Sequence, residues 1–264
     1  MRHRSTVWWC CAAVVWTRVA GGQVADAGTG QTFAARVGIA ESGRLDQTAS
    51  PSRFAGRGVE FGVGWSRTFA PFTIAATLGG GARFLSPLEG APSADERLTE
   101  GTLDVLLLRR VNASTPALRE FRAGIAFFTG ASVTEHTYPT VETLRSDYLF
   151  VSASLGPAAA WNHAIAGGTL SADIGVPLVA LVDHPYTDIR EQRAPVSVRF
   201  VSAESYRGVR GGVAFTSSLS RTVGIVYAYR IGLLHFDDEQ PVHSVTQSLS
   251  VGLVSRLNDG RRAR

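Results

Sequence analysis

The chain has 264 residues, 45% of them hydrophobic, a formal net charge of +4 and 26 basic residues, every one an arginine. Six of these sit at the two ends (Arg2, Arg4, Arg18, Arg261, Arg262, Arg264), which leaves 20 arginines against the 22 acids of the whole chain. The basic charge forms no patch on any one element, so nucleic acid is excluded as a partner. After the first 27 residues no apolar run approaches the roughly 18 residues of a membrane-crossing helix, which excludes a helical membrane protein.

Met1 to Ala27 has the three parts of a secretory signal: basic Arg2 and Arg4, an apolar run from Val7 to Trp16, and a small-residue site at Ala25-Asp26-Ala27 or Ala20-Gly21-Gly22. Both cysteines, Cys10 and Cys11, fall inside it. The expected organisation is a signal peptide over 1–27 and one all-β domain over 28–264, with no disulfide and no Cys-ligated metal.

Ten segments then obey one rule, apolar side chains on one parity and small, polar or charged ones on the other. The first, Thr32 to Ala40, sets Phe33, Ala35, Val37 and Ile39 against Arg36 and Gly38. The hairpin Gly58 to Arg83 follows, with Val59, Phe61, Val63 and Trp65 on its first arm and Phe72, Ile74, Ala76 and Leu78 on its second. Next come Thr99 to Val111, Arg119 to Thr129 and Asp147 to Trp161. In Leu170 to Val182 the apolar parity is even, and Ile174, Val176, Leu178 and Ala180 are expected on one face. Gly208 to Ser217, Thr222 to Phe236 and Val245 to Leu257 complete the set. A tilted strand crosses a bilayer in about nine to eleven residues, so each segment is long enough to span one.

The connections alternate as well. Short links (Thr68 to Pro71, Asn112 to Leu118, Asn162 to Gly168, Ser218 to Arg221) interleave with longer polar ones (Ser42 to Arg57, Leu85 to Leu98, Gly130 to Ser146, Asp183 to Arg207, Asp237 to His243). The longest contains Val196 to Glu204, which reads as a strand extension above the membrane. Phe33, Trp65, Phe72, Phe121, Trp161 and Phe215 fall on the apolar parity near the short links, and Phe84, Phe127 and Tyr148 near the long ones, as two interfacial girdles require. The expected fold is an all-β, transmembrane, antiparallel up-and-down barrel of about ten strands.

On the inward parity lie Arg36, Arg83, Arg110, Arg122, Arg210 and Arg230, with Glu60, Glu100, Asp104, Glu120 and Asp173. Charges in so narrow a lumen must pair across strands. Two readings of it stand: a barrel filled by an ion-pair network, or a narrow hydrophilic pore lined by those charges.

Signal, parity, loop alternation and girdles together resemble a small outer-membrane β-barrel of Gram-negative bacteria over Thr32 to Leu257. The last strand, Ser250-Val251-Gly252-Leu253-Val254-Ser255-Arg256-Leu257, partly matches the assembly signal of such proteins, lacking a terminal aromatic. The resemblance implies outer-membrane lipid and the barrel assembly machinery as partners, no cofactor, and a non-enzymatic structural or surface-exposed role. The alternative is a narrow, porin-like channel for small polar solutes.

A minor alternative is an outer-membrane hydrolase using Asp183 and His184, or His235, Asp237 and Asp238, as carboxylate and imidazole. Omptin-type surface proteases are similar in having ten strands, but their paired acids and Asp-x-His spacing do not occur in this sequence. No Gly-x-Ser-x-Gly is present, His163 reads as part of a polar turn, and His136 and His243 lack metal-ligand spacing, so no metal is expected. Pro177 and Pro157 lie within strands, where each removes a ladder donor; a bulge and a tolerated defect are both open readings.

Overall fold

The computed structural model describes residues 30–47, 50–88, 95–112, 120–137, 145–184, 198–237 and 241–258. The expected signal peptide and the arginine-rich tail lie outside these residues. The strands are β1 (Gly30–Asp46), β2 (Ser50–Phe69), β3 (Phe72–Pro87), β4 (Asp95–Arg110), β5 (Phe121–Thr137), β6 (Arg145–Ile165), β7 (Gly168–Gly175), β8 (Val179–Asp183), β9 (Arg199–Ser202), β10 (Tyr206–Ser218), β11 (Val223–Phe236) and β12 (Val242–Asn258). Each expected segment has its strand. β7 and β8 both pair with β6, and they pair on their other side with β10 and β9, so these four segments are two interrupted staves. The barrel has ten staves.

Closure follows from the register. Gly30 pairs with Thr68, Thr68 with Thr73, Thr73 with Leu108, Leu108 with Gly124, and Gly124 with Ala158. Ala158 pairs with Gly175, Gly175 with Arg210, Arg210 with Gly232, Gly232 with Thr246, and Thr246 with Ser42. One circuit starts at Gly30 and returns to the same strand twelve residues higher, at Ser42. A stagger of twelve over ten staves sets a strand tilt of about 40° and a backbone radius of about 10 Å. That interior is just wide enough for its own side chains.

The strands are longer than the membrane requires. β1 continues to Asp46 and β2 begins at Ser50, so most of the expected loop Ser42 to Arg57 is hairpin. β5 and β6 likewise extend into the expected loop Gly130 to Ser146, and β9 lies within the longest loop, as its sequence suggested. The outer wall shows where lipid contact ends. Val37, Ile39, Val59 and Phe61 are 59–65% exposed on adjacent strands, an apolar surface that water does not tolerate over such a belt. Just beyond them a polar ladder crosses four staves. Arg57 Nε pairs with Glu41 Oε1 at 2.5 Å, Gln247 Nε2 donates to Glu41 Oε2 at 2.8 Å, and Tyr229 OH donates to Gln247 Oε1 at 3.1 Å. Beyond that ladder the strands continue with a mixed outward face, Leu233 and Val245 followed by His235 and His243.

Two expectations about side-chain direction fail, each for a local reason. Ala180 points inward and is buried, because the stave carries a bulge. Residues 175–179 oppose only 155–158 of β6, one residue too many, and the parity flips between Leu178 and Ala180. Pro177 is seated in this bulge. The amides on either side still donate, Val176 N to Pro157 O at 3.0 Å and Leu178 N to Leu155 O at 2.9 Å. Because donors alternate sides along a strand, the missing donor of Pro177 faces the β9–β10 stave where its own ladder breaks at 203–205, and that of Pro157 faces the bulge. Tyr148, expected in the outer girdle, instead turns inward against His136, with ring centroids 5.9 Å apart.

Candidate functional site

The inward face is stacked in layers along the barrel axis. At the short-turn end, Glu120 Oε1 pairs with Arg110 Nη2 at 2.5 Å and its Oε2 with Arg122 Nη2 at 3.4 Å. Above this lies an apolar wall of Leu108, Ala126, Phe128 and Ala158, backed by Leu106 and Ala160. A side chain on Gly175 would strike the Phe128 ring at 2.3 Å, so glycine there leaves the space the ring occupies. Arg210 caps that ring, its guanidinium carbon 5.4 Å from the centroid.

The central layer carries most of the expected charges. Arg210 Nη1 donates to Asp104 Oδ1 at 2.7 Å, while Arg230 Nη2 lies 4.0 Å from Asp104 Oδ2 and 3.6 Å from Asp173 Oδ2. Arg83 pairs with Glu100, and Arg83 is 3% exposed. Arg36 and Glu60 face the same space without closing to ion-pair distance among the described residues. The space is a cavity of about 190 Å³, edged also by Arg44, Ser132, Ser152, Thr102 and Ser248. Of the eleven charged residues expected in the lumen, Arg36, Glu60, Arg83, Glu100, Asp104, Arg210 and Arg230 edge this cavity, and nine of the eleven lie within ion-pair distance of an opposite charge.

The top layer was missed by sequence reasoning. Phe150, Ala180, Val182, Tyr206, Phe236 and Val242 form one buried cluster and Phe54, Leu85 and Leu98 another, none more than 5% exposed. Among them sit five titratable groups. Arg44 donates from Nη2 to Asp46 Oδ2 at 2.7 Å and from Nη1 to Ser132 Oγ at 3.1 Å, and His184 Nε2 lies 3.3 Å from Asp46 Oδ1. His136 Nε2 lies 3.7 Å from Glu96 Oε2. Arg44 and Asp46 continue the even, inward parity of Arg36, Gly38, Ala40 and Ser42, so the signal was present in a segment read as loop.

Their protonation follows from burial. Burial alone would raise Asp46, but the hydrogen bond to His184 and the charge of Arg44 outweigh it and hold the carboxyl well below the usual range. Burial pushes Glu96 up to about 7, with Asp46 adding to the effect and Arg44 opposing it. Burial pushes His136 down to about 4, against the pull of Asp46. Between those values the 3.7 Å contact joins a neutral imidazole to a protonated carboxyl, and the pair is not an ion pair.

The expected hydrolytic pairs are rearranged. His184 meets Asp46 from a distant strand instead of its neighbour Asp183, and the Phe150 and Phe236 rings cover it at centroid distances of 5.5 and 6.1 Å. His235 Nε2 lies 3.9 Å from Asp237 Oδ2 at the rim, while Asp238 is outside the described residues. His163 belongs to β6 and stacks on Trp161, centroids 5.3 Å apart. Among the described residues no group of three His, Cys, Asp or Glu side chains converges for a metal.

No protein-family model and no curated protein sequence matches the chain. Its fold is matched by solved structures. The outer membrane protease OmpT of Escherichia coli superposes with a TM-score of 0.53 at 8% identity, over 87% of this chain and 97% of that one. The translocator domain of the autotransporter NalP of Neisseria meningitidis gives 0.48 at 13% identity, over 86% and 88%. The closed ten-stave barrel has the architecture of the Gram-negative outer-membrane β-barrels.

Proposed function

We propose that the protein is a non-enzymatic outer-membrane barrel, exported by residues 1–27 and inserted by the barrel assembly machinery. Its strands stand beyond the lipid as a rigid, surface-exposed platform. The observation that carries this reading is the top layer. Phe54, Leu85, Leu98, Phe150, Tyr206, Phe236 and Val242 are all at most 5% exposed and fill the outward end of the lumen. Side chains this deeply buried narrow the outward end of the lumen above the cavity. The same layer argues against hydrolysis, since the Asp46 and His184 pair lies under two aromatic rings where no substrate reaches.

The second reading, a narrow channel for small polar solutes, is favoured by the 190 Å³ cavity with Arg36, Arg44, Arg83, Arg210 and Arg230 on its wall. Conductance in planar lipid bilayers separates the two. The full chain is expected to be silent, and a Phe150→Ala, Tyr206→Ala double variant, which thins the packed layer, is expected to open discrete steps. Discrete steps from the unmodified chain, altered by Arg230→Gln, would establish the channel and overturn the closed platform.

A further inference from the structure

His235 and His243 are eight residues apart in sequence, yet they are register partners on β11 and β12. Both have the outward parity of Leu233 and Val245, and both lie above the polar ladder, at the rim of the wall. Their rings meet with centroids 4.1 Å apart and planes at 62°, and the two Nδ1 atoms face each other at 2.6 Å. The His235 side chain is 40% exposed, so the pair is open to solvent.

Two imidazole nitrogens hold such a contact only when one of them carries a proton between them. A metal cation in place of that proton uses both lone pairs at once. Metal–nitrogen bonds of about 2.0–2.1 Å at a tetrahedral angle place the two nitrogens about 3.3 Å apart, an opening of about 0.7 Å from the 2.6 Å contact that two ring rotations supply at an exposed rim. Imidazole suits zinc, nickel and copper and discriminates against magnesium. On the far side of His235, Asp237 Oδ2 lies 3.9 Å from Nε2, outside hydrogen-bond distance but one side-chain rotation from the contact by which a carboxylate orients a ligating ring. The charge of Arg53 reaches His243 and limits the affinity.

We propose that His235 and His243 form a two-imidazole site on the outer rim for a borderline transition-metal cation such as Zn²⁺ or Ni²⁺. Asp237 is the positioning residue, and water completes the coordination. The site depends on the β11–β12 register alone and not on whether the lumen conducts.

The test is calorimetric titration of Zn²⁺ and Ni²⁺ into the folded full chain in detergent micelles at pH 7.5. One saturable site per chain is expected. His235→Gln and His243→Gln should each weaken binding at least tenfold, Asp237→Asn should weaken it several-fold, and Mg²⁺ should give no heat. Because all three positions are at the rim, each variant should keep the heat-dependent gel shift of the folded barrel. Folded variants that bind Zn²⁺ as tightly as the parent chain, or a parent chain that binds no better than a His235→Gln, His243→Gln double variant, would overturn the proposal.

Discussion

Glu96 and His136 touch at 3.7 Å in the top layer, and their displaced titrations act on stability with opposite signs. Glu96 is raised from 4.5 to about 7, so between those values the folded barrel holds a proton that the unfolded chain has released. Rising pH therefore favours unfolding, and the Glu96 contribution is lost as pH rises towards 7. His136 is lowered from 6.5 to about 4, so in that window the unfolded chain holds the extra proton. Falling pH favours unfolding there. At about 1.4 kcal/mol per pH unit, each displacement is worth about 3 kcal/mol across its window. Between pH 4.5 and 6.5 the two slopes cancel, and the parent chain should show no net slope from this pair.

Single variants unmask them. Relative to the parent, Glu96→Gln should gain about 3 kcal/mol of stability between pH 4.5 and 7, and His136→Gln should gain about as much as pH falls from 6.5 to 4. The assay is urea unfolding of the barrel in lipid vesicles at half-unit pH steps, reading the change of slope with pH rather than absolute stability. If both variants track the parent over the whole range, the two groups titrate normally and the buried, neutral pair described above does not exist.

Three further outcomes follow from the other layers. Leu249, 59% exposed on the apolar belt, should cost about 2–4 kcal/mol when replaced by arginine, and Gln247→Arg at the polar ladder below about 1 kcal/mol, both read by unfolding in vesicles. Asp104→Ala leaves Arg210 without its 2.7 Å partner and should cost about 3 kcal/mol, part of which an added Arg210→Met restores in a double-mutant cycle. Phe128→Ala removes the ring packed between Leu108, Ala126 and Ala158 and should cost about 3–5 kcal/mol by the same measurement, without opening conductance because the top layer remains.

The barrel was legible because a wall between two environments must alternate. Val59, Phe61, Val63 and Trp65 against Glu60, Gly62 and Gly64 state the rule, and ten such segments returned ten staves. What alternation could not give was where the membrane stops. Ser42 to Arg57 looked like a loop because charged and small residues break its apolar alternation, but its backbone goes on pairing and its inward residues, Arg44 and Asp46 among them, go on packing. The buried histidines escaped for the same reason. His136 and His184 come from segments with no spacing in common, and only the twelve-residue stagger brings strands so distant in sequence to one level. Ala180 was misplaced because a bulge of one residue leaves no mark in the parity of the sequence before it. His235 and His243 needed the β11–β12 register, which a hairpin loop of unknown geometry hides.

The measurement that bears most directly on the account is gel migration of the outer-membrane fraction, before and after boiling, from cells expressing the full chain. In a closed barrel every stave is hydrogen-bonded to two neighbours, so detergent alone does not open it. The account predicts a band in that fraction whose migration shifts on boiling. An unshifted band in the soluble periplasm would contradict it, because the belt of Val37, Ile39, Val59 and Phe61 would then have to face water.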